Sequence, residues 1–343
     1  MPSLRFAVLG CGFWSQFQVA AWRELPEVEL AAVYNRTRGK AEALARRFGV
    51  PAVYDDAEEL LAKERLDFVD IITDMDTHER FVSLAARHRL PVICQKPMAP
   101  ELGTAERMVQ ECRAAGIPFL VHENWRWQHP LRQVKRALDE GRVGKPFRAR
   151  ITFANSFPVF DNQPFLKDLE RFILTDIGSH ILDVARFLFG EARSLYALTR
   201  RVNPAIRGED VATVMMEMES GATVTCEMSY ASRVEHDRFP ETFVHVECER
   251  GAVELAPDCW VRVTTPEGTS AKRHPPPRYA WADPAYDLVH ASIVACNADL
   301  LRALRTGQPA ETAAESNLRT MQLVFGAYTS AAERKVIRFG AGS

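Results

Sequence analysis

The sequence predicts two domains. Residues 1–124 read as an α/β domain with a doubly wound parallel sheet. Residues 125–343 read as an α+β domain whose open sheet is mostly antiparallel. Three observations lead there. Strand-sized apolar runs alternate with helical periods through the N-terminal part. A glycine turn, Gly10-Cys11-Gly12, sits directly between the first strand run and the first helix. Beyond Pro146 the strand runs follow one another through turn residues, as at Glu219-Ser220-Gly221-Ala222 and Glu249-Arg250-Gly251.

Size and composition agree. A chain of 343 residues suits two domains, with 47% apolar and 26% charged residues. A net charge of -2 supplies no basic field for nucleic acid or an anionic membrane surface. The longest apolar runs are strand-sized, well short of the roughly 20 residues of a membrane span. Met1-Pro2-Ser3-Leu4-Arg5 lacks the charged and apolar regions of a secretion signal, so a cytoplasmic protein is expected. Seven cysteines, with no CxxC pair, suggest neither a disulfide framework nor a zinc site.

In chain order, Arg5 to Leu9 is the first strand. The turn after it has the form G-x-G-x-x-S, with Ser15 where a third glycine is common. Gly10 permits the tight turn, and Gly12 lets the backbone approach a pyrophosphate at the free N–H groups of the next helix. Phe13 and Trp14 complete this candidate cofactor turn. The second strand, Val28 to Tyr34, ends at Asn35-Arg36-Thr37-Arg38, where a carboxylate normally binds the adenosine ribose. Asn35 can still bond a hydroxyl, while Arg36 or Arg38 can pair with a 2′-phosphate, so NAD and NADP both remain open. A helix over Thr37–Phe48 and a short one over 55–62 follow. Phe68 to Thr73 is a strand, and Thr73 and His78 lie at its carboxyl end. Asp74 and Asp76 there suit turn or capping roles.

Val92-Ile93-Cys94-Gln95-Lys96-Pro97 is the central stretch. Its apolar run reads as a strand buried on both faces, which delivers Gln95 and Lys96 to the ligand-binding edge of the sheet. Lys96 precedes a proline and is therefore held out of the α region. A helix over 101–115 and a strand over 118–121 end the first domain. His122-Glu123-Asn124-Trp125-Arg126-Trp127 then opens the second. Asn124 and Arg126 are candidates for touching a polar ligand, while Trp125 and Trp127 suit packing.

The second half carries β runs from Phe147 to Thr264, an exposed loop over 271–284, and helices over 285–305 and 313–333. Its sharpest signal is Asp176-Ile177-Gly178-Ser179-His180-Ile181-Leu182-Asp183. As an α-helix, Asp176, His180 and Asp183 fall on one seam, so Asp176 can orient His180 as a general base. A metal reading is weaker. His122 and His129 stand in another element, and no metal is expected.

Together these parts resemble the Gfo/Idh/MocA family of NAD(P)-dependent oxidoreductases along essentially the whole chain. The resemblance rests on Gly10-Cys11-Gly12, on Lys96-Pro97, on Asp176-x-Gly178-x-His180-x-x-Asp183 and on Ala327-Tyr328-Thr329-Ser330-Ala331. It implies a Rossmann fold and a catalytic set of Lys96, Asp176 and His180. It also implies a cis Lys96–Pro97 bond, a sugar or polyol substrate and a homodimer or homotetramer. His180 would take the proton of a substrate hydroxyl, Asp176 would orient it, and Lys96 would hold the reacting oxygen. Two departures stand out: the family's usual Glu-Lys-Pro is Gln95-Lys96-Pro97 here, and Asn35 replaces the usual acidic residue. Gln95-Lys96-Pro97, His122 to Arg126 and Gln163-Pro164-Phe165 look like a D-apiose dehydrogenase subfamily. An NAD-dependent glycosidase and a non-catalytic NAD(P) sensor are the competing functions.

Overall fold

The computed structural model describes residues 3–340, and its chain divides by contact into two units. The outermost residues of the two predicted domains, 1–2 and 341–343, lie outside the described residues.

One unit holds residues 3–124 with Ala280–Ala282 and Ile293–Met321. Its strands are β1 (Leu4–Leu9), β2 (Val28–Tyr34), β3 (Ala52–Tyr54), β4 (Phe68–Ile71), β5 (Val92–Gln95) and β6 (Phe119–His122). They pair in parallel in the order β3-β2-β1-β4-β5-β6, the doubly wound order of dinucleotide-binding sheets. The helices between them are α1 (Ser15–Trp22), α2 (Arg38–Phe48), α3 (Ala57–Lys63), α4 (His78–Arg87) and α5 (Leu102–Ala115). Burial of β5 on both faces leaves Val92, Ile93 and Cys94 with no exposed surface. Val92 and Ile93 each contribute about 1.5–3 kcal/mol by that burial. β3 escaped the sequence reading because it has three residues, all half-buried, and shows no period.

The other unit holds Trp125–Tyr279, Asp283–Ser292 and residues 322–340. Its helices are α6 (His129–Asp139), α7 (Val159–Asn162) and α8 (Ser179–Phe189), with the ends of α9 (Asp287–Thr306) and α10 (Ala314–Glu333). Nine strands form its sheet: β7 (Pro146–Ala154), β8 (Ala192–Arg200), β9 (Val211–Met218), β10 (Thr223–Ser229), β11 (Phe243–Cys248), β12 (Gly251–Ala256), β13 (Trp260–Thr265), β14 (Gly268–Arg273) and β15 (Ile337–Arg338). The order is β14-β13-β12-β11-β7-β10-β9-β8-β15, antiparallel except for the β7–β10 pair. β14 corrects the expected loop: residues 271–273 are strand. All six of its residues are exposed, so no apolar alternation marked it. Among the described residues no helix is long and apolar enough to cross a membrane.

Candidate functional site

The glycine turn is shaped for close approach. Gly10 has φ +107°, and a Cβ there would meet Ile72 O at 2.6 Å. Gly12 faces open space, with nothing within 4 Å of a Cβ. The Ser15 hydroxyl donates to Gly12 O at 2.7 Å rather than capping α1. The first turn of α1 thus presents N–H groups without a side-chain cap, beside an exposed glycine backbone, which fits a pyrophosphate. Phe13 is exposed, and the buried Trp14 Nε1 has no hydrogen-bond partner.

Asn35 does something the sequence did not show. Its Oδ1 accepts from Cys11 N at 3.0 Å and its Nδ2 donates to Thr37 O at 3.1 Å, so it ties the glycine turn to the end of β2. Arg38 lies 3.1 Å from Glu42 and 3.5 Å from Asp55, while Arg36 is exposed. His78 also takes a bracing role. It is buried, with Nδ1 3.1 Å from Met98 O and Nε2 3.1 Å from Thr73 O. Both ring nitrogens therefore face backbone carbonyls rather than an open cleft, and burial pulls the imidazole pKa down. The Asp74 and Asp76 carboxylates do not cap the following helix; Thr77 closes the turn by donating to Asp74 O at 2.8 Å.

Lys96 follows β5, and its bond to Pro97 is cis. Behind it runs a buried chain of side chains. Trp22 Nε1 donates to Asp70 Oδ2 at 2.7 Å, and Gln18 Nε2 lies 2.8 Å from both Asp70 oxygens. Gln18 Oε1 accepts from Gln95 Nε2 at 2.5 Å. Gln95 Nε2 also lies 3.0 Å from His122 Nδ1, and His122 Nε2 lies 3.0 Å from Asn297 Oδ1. Gln95 Oε1 accepts the Lys96 backbone N–H at 3.1 Å. Stacking of Phe6 on Phe68 at 4.9 Å, with Trp22 tilted against both, fixes the indole. Burial pushes the Asp70 carboxyl up to about 7, against the lowering effect of its Trp22 and Gln18 hydrogen bonds.

In the second unit the Asp176 segment is not a plain α-helix. Leu174–Gly178 is a π-helical turn that passes into α8. Such turns often mark functional segments. Glu209 holds its start: the two carboxylate oxygens accept from Phe172 N and Leu174 N, each at 3.2 Å. Tyr328 OH donates to Glu209 at 2.9 Å and accepts from Thr175 N at 3.1 Å. Asp176 accepts from Tyr230 OH at 3.2 Å. Burial first, and then Asp176, raise the Tyr230 pKa well above its ordinary value, so the phenol stays a donor. His180 is buried, and its ring stacks on Trp125 at 4.1 Å with 23° between planes. Trp125 is fixed in turn by Nε1 donating to Thr242 at 3.0 Å.

Arg126, expected at a ligand, is instead paired with Asp183: Nε to Oδ2 and Nη2 to Oδ1, both 2.7 Å. The expected seam of Asp176, His180 and Asp183 thus divides between two partners, Tyr230 and Arg126. Asn124 is buried. His122, a weak metal candidate in the sequence, belongs to the Gln95 chain. One group the sequence did not suggest gathers ligand atoms within 4.8 Å: His236, Glu241 and Asp258. Arg238 and Arg273 lie 3.7 and 3.9 Å from Asp258, so cations of the chain already balance it.

Residues 4–123 match the oxidoreductase family with an NAD-binding Rossmann fold, and residues 131–254 match the GFO/IDH/MocA C-terminal domain. A D-apiose dehydrogenase of Paraburkholderia graminis is 42% identical over 331 residues, 96% of this chain and 88% of that protein. The chain belongs to the GFO/IDH/MocA oxidoreductase family. A second relative, the D-apiose dehydrogenase of Rhizobium rhizogenes, is 39% identical over 99% of both chains. An Agrobacterium radiobacter oxidoreductase, solved with NAD+, L-tartaric acid and magnesium, superposes with a TM-score of 0.96. It is 38% identical and covers 98% of both chains.

Proposed function

We propose that the protein is a dehydrogenase of sugar CH–OH groups, with D-apiose as the preferred substrate and NAD as the cofactor. His180 carries this reading. It is a buried imidazole held face-on by Trp125, four residues after a carboxylate fixed by Tyr230, in a chain with a dinucleotide-type glycine turn. The substrate class follows the two D-apiose dehydrogenases at 42% and 39% identity. NAD is preferred over NADP because carboxylates already engage Arg38 and because the 38%-identical structure holds NAD+.

The turn at Gly10 and Gly12, with Phe13, Trp14, Asn35 and Arg36, holds the dinucleotide. When bound, the nicotinamide accepts or returns the hydride. His180 takes the hydroxyl proton in oxidation and gives it back in reduction. Asp176 orients the imidazole, while Tyr230 holds Asp176. The Lys96 ammonium binds the reacting oxygen and stabilises the negative charge that develops there. The protein assembles through the exposed face of its nine-stranded sheet. There Tyr196 pairs with Met215 across β8 and β9, and Leu198 and Met215 are 43% and 50% exposed.

The test mixes purified protein with NAD or NADP and D-apiose, D-xylose, myo-inositol or scyllo-inositol, following the absorbance of reduced nicotinamide. NAD with D-apiose should give the highest kcat/KM. If the cofactor binds but no sugar reduces it, the dehydrogenase reading fails. Release of an aryl leaving group without net reduction would point to a glycosidase instead. Light scattering should give a mass of at least two chains.

A further inference from the structure

The buried chain behind Lys96 has a direction. Asp70, when ionised, only accepts, so Gln18 must turn its NH2 toward Asp70 and its oxygen toward Gln95. Gln95 must then turn its NH2 toward Gln18 and His122, which leaves its oxygen for the Lys96 N–H. His122 Nδ1 must be the bare nitrogen, so its Nε2–H donates to Asn297 Oδ1. Each group has one orientation that avoids two donors or two acceptors meeting, and the carboxylate at the head selects it.

Position 95 is constrained by the same logic. A glutamate there would face Gln18 Oε1 and His122 Nδ1 with acceptors only. Gln18 is unable to rotate to relieve this while Asp70 is ionised. With asparagine at position 70 the chain can invert. Trp22 keeps the oxygen at the Oδ2 position, the new NH2 donates to Gln18 from the Oδ1 position, and Gln18, shifted off the Oδ2 position, rotates to present its own NH2 to position 95. A glutamine at 95 then points its NH2 at the Lys96 N–H, donor against donor, whereas a glutamate accepts from both. The far end tolerates inversion as well, because Asn297 Nδ2 is buried and unpartnered and can rotate to meet His122 Nε2.

We propose that Asp70, acting through Gln18 and Gln95, is a positioning residue for Lys96, and that its charge requires an amide rather than a carboxylate at position 95. This rests on the role of Lys96 given above. Gln18, Asp70, Gln95, His122 and Asn297 are all at most 8% exposed, so water offers no substitute partner.

The experiment is a double-mutant cycle of Asp70→Asn and Gln95→Glu, with Lys96→Ala as a reference, read above about pH 8, where Asp70 is ionised, as kcat and as KM for NAD and sugar. Each single change should lower kcat by about tenfold or more with KM for NAD within about threefold, and the double variant should recover kcat to within about threefold of the parent. A chain that only packs would give additive losses. A double variant no better than the worse single overturns the proposal, as does a set of three that fails to fold. A folded, active double variant supports it even where a single one misfolds. Lys96→Ala separates the levels. If it leaves turnover intact, the catalytic reading of Lys96 fails and this proposal falls with it. If it abolishes turnover while the cycle is additive, only the proposal fails.

Discussion

In the N-terminal unit, the turn carrying Lys96 is held by neutral amides that pass one hydrogen bond to the next from a single carboxylate. In the C-terminal unit, the segment carrying Asp176 and His180 is held by charge. Arg126 forks onto Asp183, and Glu209 grips two backbone N–H groups at the start of the π-helical turn. The difference is one of polarity. An amide has a donor end and an acceptor end, so a string of them transmits orientation from Asp70 to Lys96. An ion pair fixes position but passes no such sense on. Polar changes should therefore misdirect the first unit and loosen the second.

Four measurements can break or sharpen that contrast. The largest effect should follow His180→Ala, with turnover down about 10³-fold or more and NAD affinity, by fluorescence titration, within about twofold. Unchanged turnover would remove His180 from the mechanism. Next comes Arg126→Met, which removes the fork onto the buried Asp183 while Arg186 stays 3.9 Å away, and should lower the unfolding free energy by up to about 3–5 kcal/mol in urea. A raised sugar KM with unchanged stability would instead restore Arg126 as a ligand residue. Glu209→Gln keeps one acceptor but turns an NH2 toward a backbone N–H. It should cost about 1–3 kcal/mol and lower kcat with it. An unaffected kcat would show that the π-helical turn holds its shape without the carboxylate.

The fourth measurement is a slope with pH. The folded Asp70 carboxyl titrates at about 7, against a reference of 3.8. The folded protein therefore binds more protons than the unfolded chain between these values. Stability should fall as pH rises through that window, by at most about 1.4 kcal/mol per pH unit from this group. Urea unfolding at several pH values should show the slope in the parent protein and its loss in Asp70→Asn. The same slope in both would place its origin elsewhere.

Much of the architecture was legible because it is local. Gly10-Cys11-Gly12 announces a strand-to-helix turn, and Lys96-Pro97 announces an extended residue at a strand end. β3 and β14 were missed because neither buries one clean face. The π-helical turn was read as α because Ile177 continues the apolar stripe of Ile181, Val184 and Leu188, all four of them buried. Arg126 was given to a ligand because nothing near it in sequence forecasts Asp183.

By itself the sequence determined the two kinds of sheet, the glycine turn, and the residue types at the ends of β2, β4 and β5. Those follow from side-chain periodicity and backbone freedom, which each segment carries alone. The partners were decided only by the tertiary structure. The order β1-β4-β5-β6 sets Asp70, Gln95 and His122 on neighbouring strands, with Gln95 directly beside His122, and α1 brings Gln18 and Trp22 onto them. A hydrogen bond needs its two atoms within about 3 Å, and residues as far apart as Gln18 and Asn297 reach such a network only when the sheet stacks their strands and helices. The sequence showed that a glutamine stands at position 95. The fold shows the carboxylate that faces it across one amide.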